Sequence, residues 1–245
     1  MISPFTAEVA GALSAAAGLG LAAGGFAYAS RWPGSRLFGT ALIAPRRPGE
    51  LALTFDDGPN ANWTPRLLDV LAGHGVQATF FLLGSRAETE PALVRRIAAE
   101  GHLIGNHAWS HRNLALAPAG RVWAELDQTR LTLEQITGTA VKFFRPPFGA
   151  RRPVVLRIAR ELGMRPVLWN AMTTDWKQPS AEKIATQLKN KIDRLERRGS
   201  AANIVLHDGS HHDKNADRGP SVAAVERLLA HYAATHRFVT LAAWV

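Results

Sequence analysis

Residues 51–59 read LALTFDDGP, an apolar run that ends abruptly in two acids, a glycine and a proline. The apolar run predicts a buried strand, and the glycine–proline pair predicts that the strand stops there. Asp-Gly-Pro by itself is ordinary turn chemistry. Because a turn needs only one of the two acids, Asp56 and Asp57 together indicate a functional site at the end of this strand.

Outward from this strand, short apolar runs alternate with amphipathic stretches as far as residue 241. The alternation predicts an α/β fold of about seven parallel strands joined by helical crossovers, in an open sheet or a closed barrel. In such folds, functional sites lie at the carboxyl ends of the strands. The predicted strands are Leu51–Phe55, Ala78–Leu83, Leu103–Gly105, Lys142–Phe144, Pro166–Trp169, Asn203–Leu206 and Phe238–Leu241, and the predicted helices are Pro65–Ala72, Glu88–Glu100, Arg121–Thr137, Val154–Leu162, Ala181–Arg198 and Val222–Ala234.

Composition narrows the class of protein. The chain has 245 residues, which fits one large domain, and 47% of them are hydrophobic, which excludes a disordered chain and a polytopic membrane protein. There is no cysteine, so any metal must be held by His, Asp or Glu. The net charge of +9 suits an anionic partner, but no Lys/Arg block is interleaved with aromatic residues, so we expect no nucleic-acid binding.

The segment Ala10–Ala29 carries no charge and, as a helix, would span about 30 Å, the thickness of a bilayer core. We expect a retained membrane anchor; a signal cleaved before Ser30 and a soluble packing helix are the alternatives. Arginines follow the segment and none precedes it, which favours a cytoplasmic catalytic domain over export after cleavage. The predicted organisation is an apolar segment at 1–30, a linker at 31–49 and a catalytic domain at 50–245.

Polar clusters also follow the later strands. His107 and His111 come after the third predicted strand; on a helix this spacing would place them on one face, where they could chelate a divalent ion. Ala108 stands where a HExxH protease has its glutamate, so a base must come from elsewhere, and Asp56 or Asp57 is the obvious source. The remaining clusters are RPPFG (145–149), TTDW (173–176) and HDG (207–209). Each alone fits a turn or a buried structural residue, but together they predict a metal hydrolase site.

Just beyond the last cluster, His211-His212-Asp213 could be taken for a second metal site. The segment that follows contains the polar residues Lys214, Asn215 and Asp217. Polar segments of this kind are usually surface loops, so we predict an exposed loop here.

Taken in order, TFDDGP (54–59), HAWSH (107–111), RPPFG (145–149), DW (175–176) and LHD (206–208) resemble the motifs of the polysaccharide deacetylase family, the NodB-homology domain of carbohydrate esterase family 4. The resemblance spans roughly residues 50–241. It implies a distorted (β/α) barrel that holds one divalent ion, commonly zinc. It also implies that the chain removes N-acyl groups from amino sugars.

The same resemblance implies a metal site and a base. Asp57, His107 and His111 would hold the metal. Asp56 would be the general base, and Arg145 would hold Asp56 in place.

The resemblance also implies a general acid and a substrate pocket. His207 would be the general acid, and Asp175 would orient or tune it. Trp176 and Leu206 would wall the acetyl pocket, and the backbone N–H of Phe148 would help to hold the oxyanion.

One position departs from the family pattern. The family usually has Ser or Thr after the first metal histidine, where this chain has Ala108. That hydroxyl is thought to brace the loop rather than bind the metal. We therefore expect looser loop packing and not a loss of activity.

Three functions stay open on the sequence alone. The first is removal of N-acetyl groups from an amino sugar in a polysaccharide, in peptidoglycan or in a lipid-linked saccharide. The second is deformylation or deacylation of a lipid-linked sugar. The third, a non-catalytic carbohydrate-binding relative, is disfavoured because all the proposed polar positions are present.

Overall fold

The computed structural model describes residue 20 and residues 23–245. From residue 50 onward, parallel strands alternate with helices. The strands are β1 (Glu50–Asp56), β2 (Thr79–Leu82), β3 (Leu103–Asn106), β4 (Phe143–Phe144), β5 (Arg165–Pro166), β6 (Ala171–Met172), β7 (Ala202–His207) and β8 (Arg237–Phe238). The α-helices are α1 (Thr64–Gly73), α2 (Gly84–Thr89), α3 (Pro91–Ala99), α4 (Ala119–Thr137), α5 (Pro153–Glu161), α6 (Ala181–Glu196) and α7 (Gly219–Tyr232).

Proline and glycine set several helix boundaries. A proline stands in the first turn of α1, α3, α5 and α7, where its missing N–H would have no helical partner in any case. Pro91 also explains a correction: the predicted single helix Glu88–Glu100 is two helices, α2 and α3, because α3 begins at this proline. The carboxyl end of α4 is set by Gly138, which adopts the left-handed conformation (φ 68°) that stops a helix.

The strands form one parallel sheet in the order β5-β4-β3-β2-β1-β7-β6, and β8 pairs with the start of β1. The segment around Leu42 links the two sides of this sheet. Leu42 pairs with Val167 beside β5, while the side chain of Asn203 on β7 donates to the carbonyl of Ile43 (2.9 Å). The sheet therefore curls on itself, which confirms the predicted distorted (β/α) barrel.

The two faces of β1 pack against different apolar clusters. Leu51, Leu53 and Phe55 belong to the large cluster beneath the helices, whereas Ala52 belongs to a smaller cluster on the opposite face. Side chains alternate along a strand, so Thr54 and Asp56 share the face of Ala52. The strand thus buries its apolar face and carries its last carboxylate on the other.

One short strand was not predicted from the sequence. Ala171 and Met172 form β6, which pairs with β7 through Ile204 and Val205. Two residues are too few to show a periodic pattern, so no sequence signal marks this strand.

The predicted apolar segment Ala10–Ala29 lies mostly outside the described residues, and its role as an anchor stays a prediction. Residues 23–31 are helical. Among the residues that the structure describes, no helix combines the length and hydropathy needed to cross a bilayer.

Candidate active site

The carboxyl ends of the strands meet at a cavity of about 680 Å³. Most of the polar residues predicted for the site line this cavity, together with two of the predicted pocket residues. They are Asp56, Asp57, His107, His111, Phe148, Trp176 and His207. The fold therefore brings together clusters that lie as much as 151 residues apart in sequence (56 to 207).

A buried ion pair fixes Asp56. Nη1 of Arg145 donates to Oδ1 of Asp56 at 2.8 Å and to Oγ1 of Thr54 at 2.7 Å. Nη2 donates to Oδ1 of Asn203 at 3.2 Å, and the guanidinium lies 4.2 Å from the centre of the Phe81 ring. These contacts leave the arginine one orientation, so one oxygen of Asp56 is held and the other remains available to the cavity.

Asp57, His107 and His111 present one ligand atom each within 4.8 Å of one another. Oδ1 of Asp57 lies 3.1 Å from Nε2 of His111 and 3.5 Å from Nε2 of His107. Burial favours the neutral acid, but the facing histidines hold the pKa of Asp57 well below its usual value. Burial also favours the neutral form of His111 and so lowers its pKa, which keeps this ring neutral and its lone pair available.

The donor set fits a divalent cation. Nδ1 of His107 lies 2.8 Å from the carbonyl oxygen of Arg145. Because a carbonyl oxygen can only accept, Nδ1 carries the hydrogen and Nε2 keeps its lone pair. Oδ1 of Asp57 is buried and has no hydrogen-bond partner among the described residues. A carboxylate and two imidazole nitrogens facing one another match the donors of a metal site with open positions.

The loop that carries the two histidines is not a helix, so the shared helical face considered from their spacing is not what brings them together. Ala108 and His111 both have positive φ, 66° and 56°. The loop is held from outside instead. Oδ1 of Asn106 accepts from the N–H of Ala108 at 2.8 Å, and the buried carboxylate of Glu125 on α4 accepts from the loop's next two backbone N–H groups.

Glu125 therefore braces the histidine loop, residues 107–111, and removal of the Glu125 side chain should loosen this loop. Its Oε2 accepts from the N–H groups of Trp109 (3.0 Å) and Ser110 (2.8 Å), and its Oε1 accepts from Oγ of Ser110 (2.7 Å). We expect Glu125→Ala to lower the free energy of unfolding by roughly 1–3 kcal/mol, because donors at the loop lose their acceptor. Metal affinity should fall as well.

Urea unfolding and competition with a chelator measure the two effects. Glu161→Ala is the matched control, since Glu161 is a half-exposed helix carboxylate whose one ion pair among the described residues is with exposed Arg157. Wild-type metal affinity in Glu125→Ala would contradict the bracing role.

His207 is held by Asp175 at two points. Nδ1 of His207 lies 2.9 Å from Oδ1 of Asp175, and the backbone N–H of His207 donates to Oδ2 at 2.8 Å. Oγ of Ser221 donates to the same Oδ2 at 2.9 Å. Burial opposes the charged form of His207, but the charge and hydrogen bond of Asp175 prevail and raise its pKa to about 9. His207 is therefore protonated at neutral pH.

Two aromatic side chains border the cavity. The Trp176 ring lies edge-on to His207 at 5.1 Å and is 39% exposed. The Phe148 ring lies edge-on to His111 at 4.4 Å and is half-exposed, and Phe148 itself has a positive φ of 58°. Both positions suit contact with a bound substrate.

Leu206 does not wall the cavity, contrary to the sequence prediction. It is fully buried in the large core cluster and pairs in register with Phe55, which faces the helices. The preceding residue, Val205, pairs with Thr54 and lines the cavity. Because side chains alternate along β7, Leu206 faces the core and its neighbour Val205 faces the site.

Sequence reasoning missed His211, which it placed in an exposed surface loop. The ring lines the cavity and stacks on His111 with centres 3.8 Å apart. The residue that could have pointed to His211 is Gly209. A Cβ at this position would lie 2.1 Å from the carbonyl oxygen of Asp57, so only glycine lets the loop after β7 touch the loop after β1.

Asp208 is also polar and buried, but it does not line the cavity. Its carboxylate lies against Gly58 in the loop after β1. Its Oδ2 accepts from Oγ1 of Thr64 at 2.5 Å, and burial raises its pKa to about 7. Asp208 therefore joins β7 to the start of α1.

Comparison with known proteins gives consistent matches. Residues 44–167 match the family model described as polysaccharide deacetylase. The chain is 45% identical over 148 residues to a peptidoglycan-N-acetylglucosamine deacetylase of Bacillus cereus, a match that covers 60% of this chain and only 54% of that protein. It is 33% identical over 181 residues to a chitooligosaccharide deacetylase of Azorhizobium caulinodans, covering 74% of this chain and 83% of that one.

The fold is similar as well. A solved peptidoglycan N-acetylglucosamine deacetylase, in complex with 4-naphthalen-1-yl-N-oxidanyl-benzamide, superimposes with a TM-score of 0.73 at 38% sequence identity. The superposition covers 83% of this chain and 91% of that chain. The similarity therefore extends over most of both chains.

Proposed function

Because this chain belongs to the polysaccharide deacetylase family, we propose that it is a metal-dependent hydrolase that removes N-acetyl groups from an amino sugar in peptidoglycan, a chitooligosaccharide or a related saccharide. One observation carries the proposal. A single cavity contains a buried Asp–His–His donor set, a carboxylate held by an arginine, and a histidine held by an aspartate. These are the groups that amide hydrolysis needs.

Asp57, His107 and His111 would hold the divalent ion, and zinc suits two imidazoles and one carboxylate. When bound, such an ion lowers the pKa of water and polarises a carbonyl, which offsets the poor reactivity of an amide. The protein supplies neutral histidine nitrogens and an ionised carboxylate for this purpose. The pKa directions of Asp57 and His111 agree with both requirements.

Asp56 is the proposed general base. Arg145 occupies its Oδ1, so Oδ2 is the oxygen that accepts a proton from the attacking water. Asp57 cannot serve in its place, because its Oδ1 faces the two ligand histidines. The two adjacent acids thus have separate tasks.

His207 is the proposed general acid. Asp175 occupies Nδ1, so Nε2 is the ring nitrogen that donates a proton to the departing amine. The backbone N–H of Phe148, at the rim of the same cavity, is proposed to donate to the developing oxyanion. Trp176 and Val205 would then border the acetyl group.

Replacing Asp175 by Asn should shift the pH dependence of kcat/KM. The acid must be protonated, so activity falls as pH rises through the pKa of His207, which is about 9. Without the charge of Asp175, burial dominates and the pKa of His207 falls. The alkaline limb of the profile should therefore move down by at least about one pH unit.

The profile is measured as rate against pH on one substrate, with Lys177→Ala, an exposed change in the same turn, as the control. An alkaline limb at the wild-type position in a folded Asp175→Asn protein would remove His207 from the acid role.

Acetate release from a panel of saccharides tests the proposed function. The panel contains N-acetylchitooligosaccharides, peptidoglycan fragments, and polyprenyl-linked sugars with acetyl or formyl groups. Acetate from one of the first two classes supports the proposal. Formate from a lipid-linked sugar alone supports the deformylase alternative, and no product from any member favours a non-catalytic binding protein.

A further inference from the structure

The loop after β7 lies against the loop after β1, which carries Asp57. Gly209 approaches the backbone of Asp57 so closely that a Cβ would overlap its carbonyl group. Two arginines hold this arrangement: Nε of Arg218 donates to the carbonyl of Gly209 at 2.7 Å, and Nη2 of Arg86 donates to the carbonyl of Ser210 at 3.1 Å. The loop therefore delivers the next residue, His211, to a fixed place.

That place is above the Asp57–His111 pair. The His211 ring lies nearly parallel to the His111 ring, with centres 3.8 Å apart and planes 17° apart, and edge-on to Phe148 at 5.5 Å. Nδ1 of His211 is inaccessible to solvent and has no hydrogen-bond partner in the described part of the chain. It lies 3.5 Å from Oδ2 of Asp57.

The two oxygens of Asp57 thus face different histidines. Oδ1 faces Nε2 of His107 and His111, whereas Oδ2 faces Nδ1 of His211. A bare lone pair on Nδ1 would be repelled by the carboxylate, so Nδ1 carries the hydrogen. At 3.5 Å the contact is longer than a usual N–H···O bond of about 2.9 Å, and its contribution is mainly attraction between the N–H dipole and a buried charge.

We propose that His211 is a positioning residue for the metal site: its Nδ1–H holds the outer oxygen of Asp57, and its ring packs on His111, so that both ligands keep their orientation. His211 is not itself a ligand, because its nitrogens do not join the set within 4.8 Å of one another. The inference rests on the proposed metal-dependent function. Outer partners of this kind commonly change metal affinity by about 10- to 100-fold.

Metal affinity without substrate tests the inference. The full chain is titrated with Zn²⁺ against a chromogenic chelator, and the visible spectrum of the Co²⁺-loaded protein is recorded for each variant. We expect His211→Ala to weaken Zn²⁺ binding by roughly 10- to 100-fold while the Co²⁺ bands keep their positions. His211→Gln, whose amide can donate to Oδ2, should recover part of the loss. Lys214→Ala, an exposed change in the same loop, should bind as the wild type does.

Two results would overturn the inference. Zn²⁺ affinity in His211→Ala equal to that of the wild type would show that the contact does not support the site. A large change in the Co²⁺ bands, with no recovery in His211→Gln, would make His211 a direct ligand instead. A wild-type protein that binds neither ion would contradict the proposed function itself, which separates that failure from the failure of this inference.

Discussion

Asp56→Asn should lose most hydrolytic turnover while keeping its metal. The amide side chain fills the same space and its oxygen can still accept from Nη1 of Arg145, but it cannot take a proton from water. Because a positioned base typically contributes about 10²- to 10⁴-fold, kcat should fall by that factor. Elemental analysis should find the same metal content as in the wild type, since Asp57, not Asp56, completes the donor set with the two histidines.

The stability of this variant must be measured alongside its rate. Arg145 is fully buried, and removing the charge of its partner can cost about 3–5 kcal/mol. Thermal unfolding therefore sets the temperature at which a folded Asp56→Asn protein is assayed. Asp69→Asn, which changes an exposed carboxylate, is the control. Near-normal turnover in folded, metal-loaded Asp56→Asn would rule out the base role.

The double variant His107→Ala with His111→Ala should lose both the metal and the activity. It removes two of the three donors in the buried set and leaves Asp57 with no neighbouring ligand. A single carboxylate holds a divalent ion weakly, so purified protein should contain only background metal and release no product.

The matched control for this variant removes two histidines elsewhere. His74 and His231 are exposed and are not among the residues that line the cavity, so His74→Ala with His231→Ala should retain metal and activity. Metal retained at the wild-type level after loss of His107 and His111 would mean that the ion binds at another place.

Most of the fold follows from local patterns in the sequence. The mainly apolar run Leu51–Phe55 is followed by two acids and a glycine–proline pair, and the strand it predicts extends one residue further at each end. The long helices are also predictable from local sequence, because apolar periodicity marks the helix and a closing glycine marks its end. The pair Ala171–Met172 has no such pattern, and it becomes a strand only because β7 lies beside it.

The site was predictable where a motif coincides with a strand end, and not where it depends on contacts between loops. The pairing of Arg145 with Asp56 and of Asp175 with His207 was expected, and the structure brings both pairs together. The roles proposed for these residues stay predictions. The positions of Leu206 and His211 depend on register and on loop packing, which local sequence does not encode.

The bracing of the histidine loop is a second example of long-range structure. From the family pattern, which usually has a hydroxyl at that position, Ala108 is expected to loosen this loop. In the structure Ala108 is fully buried, and Glu125, on a helix that starts after the loop, accepts from the next two backbone N–H groups. The brace comes from a residue more than a dozen positions away (109 to 125), which no local motif would suggest.

Acetate release before and after metal removal tests whether the chain is a metal-dependent deacetylase. The wild-type chain is assayed on its best saccharide from the panel, then stripped with a chelator, dialysed, and assayed again after addition of an equimolar amount of Zn²⁺. We expect release to stop on stripping and to return on addition of Zn²⁺ in the wild type, whereas the His107→Ala, His111→Ala double variant should not recover it. Acetate release at the full rate from protein shown to be metal-free would contradict the proposed metal dependence.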